Sequence, residues 1–281
     1  MRIDGRQIAA NILGDLKTKV DILKERGITP TMAVILIGDV SSSEAYVRQK
    51  ELKAKEIGAE VKIFRFDETV SNPELETLIR KLDNDKKIHG IILQRPAPKN
   101  IKMTSLEKLI SPVKEIDGFG NNSLYPVPVV AAVLEVLGEI FGNLNEDDSL
   151  DEWLKAKTIV VVGKGETAGL PIINYLHGKD IEPVVIDSKT EDKNTTIQKA
   201  DILISAVGKR GVINSQDLKK GIILIGVGLS ADDEGKTKGD YDENEIEQIA
   251  AFYTPTPGGI GPANVALLLE NLVRAAENLS R

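Results

Sequence analysis

The chain has 281 residues, room for one large domain or two small ones, and its 41% hydrophobic content with only 4% aromatics implies an aliphatic core. A formal charge of −7 argues against a nucleic-acid binder, which needs a basic face. The absence of cysteine removes disulfides, thiolate catalysis and thiolate metal sites; no apolar run approaches the ~18 residues of a membrane helix, and the opening MRIDGRQIAANIL lacks a signal-peptide pattern, so a cytoplasmic protein is expected.

In chain order, a helical period over 6–25 precedes an apolar strand, TMAVILIG (31–38). A second helical pattern, 42–57, places Tyr46 and Lys50 four apart on one face, with Ser41, Ser42 or Ser43 able to cap it. Lys50 has lysine neighbours, so a solvated side chain is the plain alternative to a chemical role. The strand AEVKIFRF (59–66), a helix over 72–84 and the strand GIILQ (90–94) follow. The prolines of Arg95-Pro96-Ala97-Pro98 stop the sheet and leave Gln94 at its mouth. PVKEIDGFGNNSLYPVP (112–128) has no period and reads as a hinge near 120–128; within it Asp117 suits a site or simply an Asx-turn.

A bridging helix is expected over 129–141, then a polar surface loop, GNLNEDDSLDEW (142–153). TIVVVG (158–163) runs into a turn holding Gly163, Gly165 and Gly169 before a helix over 168–177. Such a turn brings backbone N–H groups and a positive helix end to a pyrophosphate, although the G-x-G-x-x-x-G spacing is one residue longer than the usual fingerprint. PVVID (183–187) ends at Asp187, 24 residues after Gly163, where an acid can accept from a ribose 2′-hydroxyl or merely cap a helix. A helix over 193–199 and the strands DILISAVG (201–208) and GIILIGVG (221–228) complete the series, followed by helices over 243–249 and 262–279. Before the last helix, Pro255, Pro257, Gly258, Gly259, Gly261 and Pro262 crowd into eight residues, as either a ligand-contacting backbone or a tight helix start.

Short continuous Val/Ile strands alternating with helices imply parallel sheets covered on both faces. The expected fold is α/β, with two α/β domains. The second is a Rossmann-like dinucleotide-binding domain, and the C-terminal helix returns to the first. His89 and His177 read as structural, and no metal-ligand spacing, P-loop or Ser–His–Asp set is present.

Five colinear segments, YVRQK (46–50), GIILQRPAP (90–98), EIDGF (115–119), VVGKGETAGLP (161–171) and TPTPGGIGPANVALLLEN (254–271), resemble the bifunctional methylenetetrahydrofolate dehydrogenase/cyclohydrolase family. The resemblance implies oxidation of 5,10-methylenetetrahydrofolate by NADP, or alternatively NAD, and hydrolysis of the methenyl product to 10-formyltetrahydrofolate in one-carbon metabolism that feeds purine biosynthesis. A monofunctional dehydrogenase with weak or lost hydrolysis is the alternative. Residues 1–126 with 263–281 would form the catalytic folate-binding domain and 127–262 the NAD(P)-binding domain. By position, Lys50 would be the catalytic lysine with Gln94 as its hydrogen-bond partner, Asp117 would hold the pteridine edge, and Tyr46 would flank the folate ring. Arg95 and Pro96 would border the substrate, and Pro257, Gly258 and Gly259 would let the backbone approach it. Gly163, Lys164, Gly165, Asp187, Ser188, Gly208 and Leu229 would contact the cofactor. The partners implied are tetrahydrofolate derivatives and a second copy in a homodimer, with no nucleic acid, membrane or metal.

Some positions depart from the family pattern. The cofactor turn, usually G-R-S, reads Gly163-Lys164-Gly165; Lys is a poorer bidentate partner for a 2′-phosphate. Asp187 repels a 2′-phosphate and suits NAD, whereas Lys164, Lys189 and the family pull toward NADP. The loop before Tyr125-Pro126-Val127-Pro128 is short, and Gly226-Val227-Gly228 replaces a usual Asp-Val-Gly ending. Arg95 replaces an apolar residue beside Gln94, where its charge would depress the lysine pKa or meet the glutamate tail of folate.

Overall fold

A computed structural model describes residues 1–38, 41–120, 122–145, 148–232, 234 and 236–280; the side chains of 41–43 and 45 also lie outside the description, and with them the expected serine cap. The chain divides into two compact units. One comprises residues 9–128 and 265–281, the other residues 1–8 and 129–264.

The first unit holds a parallel sheet in the order β2-β1-β3, from β1 (Thr31–Ile37), β2 (Glu60–Phe66) and β3 (Gly90–Leu93). Every residue of β1 is buried, as a central strand covered on both faces requires. Met32 and Val34 face a core shared with α1 (Gly5–Glu25), α2 (Ser41–Ile57) and α10 (Ile260–Leu279). Ala33, Ile35 and Ile37 face the other core, built on α3 (Asn72–Asn84) and α4 (Met103–Glu107). The period-2 alternation of strand side chains thus splits one apolar run between two layers. The returning helix contributes Val265, Leu268, Leu269, Leu272 and Val273 to the first of these cores.

The second unit holds a five-stranded parallel sheet in the order β10-β7-β6-β4-β5. Its strands are β4 (Ile159–Val162), β5 (Val184–Ile186), β6 (Ile202–Ser205), β7 (Ile223–Gly226) and β10 (Phe252–Tyr253). Its helices are α5 (Pro128–Leu144), α6 (Leu150–Lys155), α7 (Gly169–His177), α8 (Lys193–Lys199) and α9 (Glu243–Ile246). A two-stranded antiparallel ribbon joins β8 (Ser230–Ala231) to β9 (Thr237–Lys238).

The seven expected strands are all present, each trimmed by a residue or more at its ends. The polar stretch read as a loop contains α6, started by Ser149 accepting from the Glu152 N–H. Residues 1–8 sit with the five-stranded unit rather than with the first domain, because Arg2 bridges Tyr253 and the Ile3 N–H donates to the Tyr253 carbonyl at 2.8 Å. No periodicity argument finds a single-residue sheet extension of this kind. Among the described residues, no helix is long and apolar enough to cross a membrane.

Candidate active site

In the three-stranded unit, α2 carries Tyr46 and Lys50 on one face, as i and i+4 residues must lie. Lys50 is buried, and its Nζ donates to Gln94 Oε1 at 2.9 Å. Gln94 directly follows β3, and its backbone N–H still donates to the Ile35 carbonyl at 2.9 Å, so the sheet fixes its Cα. Its Nε2 donates to the Arg95 carbonyl at 2.8 Å. Both ends of the amide are therefore assigned: a flipped amide would set N–H groups against the lysine.

Asp117 arrives from the side. The Ile91 N–H donates to the Lys114 carbonyl at 2.8 Å, and Glu115 forms a parallel bridge to Ile91. These pull the EIDG segment along β3, two residues short of Asp117. Asn271 on α10 secures the same segment, its Nδ2 donating to the carbonyls of Ile116 at 2.9 Å and Pro126 at 3.0 Å. Burial lowers the Lys50 pKa from its ordinary value, and the Asp117 charge partly offsets this. Burial raises the Asp117 carboxyl, while Lys50 and Arg95 oppose the rise. Tyr46 is half-buried, and burial raises its hydroxyl.

Of the two roles expected of Arg95, a depression of the Lys50 pKa is not found. Its guanidinium pairs with Glu107 on α4 and lies 5.1 Å from the centre of the Phe119 ring. Its charge bears on Asp117, and the depression of Lys50 comes from burial. Pro96 is exposed beside it.

In the five-stranded unit, the turn after β4 has Gly163 at φ +93, a left-handed conformation, and a Cβ there would lie 2.7 Å from the Ala206 carbonyl. A Cβ at Gly165 would meet no atom within 4 Å, so the outer side of the turn is open. The helix it leads into, α7, has no side-chain cap hydrogen bond at its start. Lys164 Nζ pairs with Asp187 Oδ2 at 2.7 Å, and the Lys189 N–H donates to Asp187 Oδ1 at 2.8 Å. The lysine and these hydrogen bonds hold the Asp187 carboxyl down at about 2. Gly208, at φ +72, packs against the Leu229 carbonyl, 2.8 Å from where its Cβ would be. Gly163, Lys164, Asp187, Gly208 and Leu229 thus gather at the carboxyl ends of the strands, and Ser188 is exposed next to them. An open glycine turn with an uncapped helix behind it and an acid at the end of the next strand fits a dinucleotide.

Pro257 is exposed and its carbonyl accepts from Arg6 Nη2 at 3.4 Å; Gly258 and Gly259 are buried. A Cβ on Gly259 would lie 2.6 Å from the Pro255 carbonyl, and the Gly259 carbonyl itself presses on Gly5. Close packing within the chain therefore accounts for glycine at 259.

The sequence reading passed over Asp240, Ser205 and Asn271. Asp240 sits in an acidic run that looks solvated, yet it is fully buried; only the Gly-Asp-Tyr triplet at 239–241 hints at a turn folded inward. His89 is structural, its Nδ1 accepting from the Thr31 N–H at 3.2 Å. Among the described residues, no group of three or more His, Asp or Glu could hold a metal ion.

The fold and these two constellations define a two-unit α/β enzyme with a buried lysine in one unit and a dinucleotide-type glycine turn in the other. Family models for the tetrahydrofolate dehydrogenase/cyclohydrolase catalytic domain and its NAD(P)-binding domain match residues 3–117 and 146–280. The chain belongs to the tetrahydrofolate dehydrogenase/cyclohydrolase family. It is 36% identical over 284 residues to the bifunctional protein FolD of Lactococcus lactis strain IL1403, covering 98% of this chain and 96% of that one. A crystal structure of the bifunctional FolD enzyme from Campylobacter jejuni superposes with a TM-score of 0.89 at 31% identity, over 99% of each chain. A second, from Trypanosoma brucei and complexed with NADP cofactor and an inhibitor, gives 0.88 at 28% identity over 100% and 98%.

Proposed function

We infer that the chain oxidises 5,10-methylenetetrahydrofolate to the 5,10-methenyl form with NADP and hydrolyses that product to 10-formyltetrahydrofolate. The observation that carries this reading is the buried Lys50 amine held on the neutral Gln94 amide, in a chain that matches both domains of the family.

The nicotinamide, when bound, supplies the hydride acceptor. Hydride departure leaves a cation stabilised by adjacent nitrogen lone pairs and releases no proton, so the chain's part in that step is positioning. Tyr46 flanks the folate ring and Asp117 holds the pteridine edge. Hydrolysis makes a proton demand. Water adds to the methenyl carbon and loses a proton, and a ring nitrogen gains one as its bond to that carbon opens. A neutral Lys50 can take the first proton, because burial favours its uncharged form. Gln94 accepts one N–H of the amine without a charge that would pin it as ammonium, which leaves the nitrogen lone pair free.

NADP is favoured by the relative that carries it and by Lys164 and Lys189 near the end of β5. NAD is the second reading, supported by the Asp187 carboxylate at the same place. The reading extends to a cytoplasmic homodimer that supplies formyl groups for purine synthesis. β5 is an edge strand with Val184 exposed, an apolar edge that a second copy would cover; sedimentation velocity tests that part. The main test mixes the protein with methylenetetrahydrofolate and either nicotinamide cofactor, following reduced cofactor and methenyl product separately. Reduced cofactor forming while methenyl product fails to accumulate is expected; no cofactor reduction with either dinucleotide overturns the reading.

A further inference from the structure

The carboxylate of Asp240 is fully buried, and among the described residues no basic side chain pairs with it. Its partners are three donors from a single short segment. Ser205 Oγ donates to Oδ2 at 2.6 Å, the Val207 N–H to Oδ2 at 3.0 Å, and the Lys209 N–H to Oδ1 at 2.8 Å. A buried anion survives only where donors replace its water. Here those donors are spent on the loop that follows β6.

The geometry of that loop follows from the carboxylate. Val207 and Lys209 both turn their N–H groups inward. In a trans peptide the carbonyl points opposite its N–H, so the carbonyls of Ala206 and Gly208 face away from Asp240. The Ala206 carbonyl lies against Gly163, in the turn after β4, and Gly208 backs onto the Leu229 carbonyl. Asp240 Oδ2 also presses directly on Gly228, in the turn after β7. One side chain therefore sets the spacing of three turns at the carboxyl ends of neighbouring parallel strands, where ligands of such sheets bind.

We propose that Asp240 is a positioning residue for the dinucleotide, holding the 206–209 loop so that the Ala206 carbonyl stays packed on the Gly163 turn and the Gly208 carbonyl accepts from a hydroxyl or carboxamide donor of the nicotinamide riboside half. This rests on the dehydrogenase reading. Ser205 assists through its hydrogen bond, and both residues belong to the five-stranded unit, whereas Lys50 belongs to the other.

The experiment compares wild type with Asp240→Asn in two assays, dinucleotide-dependent oxidation and hydrolysis of supplied methenyltetrahydrofolate, which consumes no dinucleotide. An amide cannot accept from all three donors and turns its own N–H groups against one of them. The expected result is a rise of about tenfold in KM for the dinucleotide, with kcat within about threefold and hydrolysis within about twofold. An unchanged dinucleotide KM overturns the proposal, as does a parallel fall of both activities, which marks a merely structural role. Where Asp240→Asn is not recovered folded, Ser205→Ala carries the test: a KM increase of about threefold with hydrolysis intact supports it, and an unaltered KM overturns it. A wild-type protein that binds neither dinucleotide overturns the dehydrogenase reading itself, and this inference with it.

Discussion

The two units solve opposite problems. The three-stranded unit builds its site from side chains: Lys50 and Asp117 are brought out of water, and each is pushed toward its neutral form by burial. The five-stranded unit builds its site from backbone. Its glycines at 163 and 208 stand in left-handed conformations, its carbonyls abut, and the Asp187 carboxyl beside Lys164 is held in its charged form. The difference follows the chemistry. A step that moves protons needs a group whose pKa can be tuned, whereas a hydride step needs a shape that does not yield.

The comparison is broken most severely at Lys50. Lys50→Met keeps the length and removes the amine, so hydrolysis of the methenyl compound should fall by about two to four orders of magnitude, the range for losing a general base. Hydride transfer should fall by less than about tenfold in the same protein. Equal losses in the two assays would refute the division of labour. The reciprocal change is Gly163→Ala, which strains a left-handed residue and drives a methyl into the Ala206 carbonyl. It should cost about 1–3 kcal/mol of stability and raise the dinucleotide KM about tenfold, leaving hydrolysis near normal. Thermal unfolding and the paired assays check both parts.

A smaller effect separates the cofactors. In the proposed cofactor site, Asp187→Asn removes a carboxylate that a 2′-phosphate would approach and releases Lys164 from its ion pair to meet that phosphate. The ratio of kcat/KM for NADP over NAD should rise about tenfold at fixed ionic strength. An unchanged ratio would mean that neither residue reads the ribose. The smallest effect is a displacement in pH. If neutral Lys50 is the base, hydrolysis declines as pH falls through its lowered pKa. Asp117 raises that pKa, so Asp117→Asn should move the acidic limb to lower pH by about one unit, in addition to weakening folate binding. A limb that moves upward would contradict the pairing.

Much of this was legible in the residues. The continuous Val/Ile runs gave the buried strands because burial on both faces leaves no polar alternation to confuse, and the i, i+4 spacing of Tyr46 and Lys50 put them on one face. The Lys50–Gln94 contact needed the resemblance, since a strand end and a helix face 44 residues apart carry no mutual signal. Asp240 was invisible for a related reason: an acid in a polar run reads as solvated, and only tertiary structure delivers three donors to it. The Arg95–Glu107 pair left no signal because Glu107 lies on α4, a helix of five residues too short to leave a period.

The last helix has a consequence for how the chain is made. Val265, Leu268, Leu272 and Val273 complete the core around Met32 and Val34, and Asn271 ties down the Asp117 segment. On a ribosome, residues 9–128 emerge early yet stay without that apolar wall until 129–264 have been translated. The unit whose sheet is made first therefore waits longest for its covering helix, and through that interval its half-covered sheet is the stretch of nascent polypeptide with most reason to engage a chaperone.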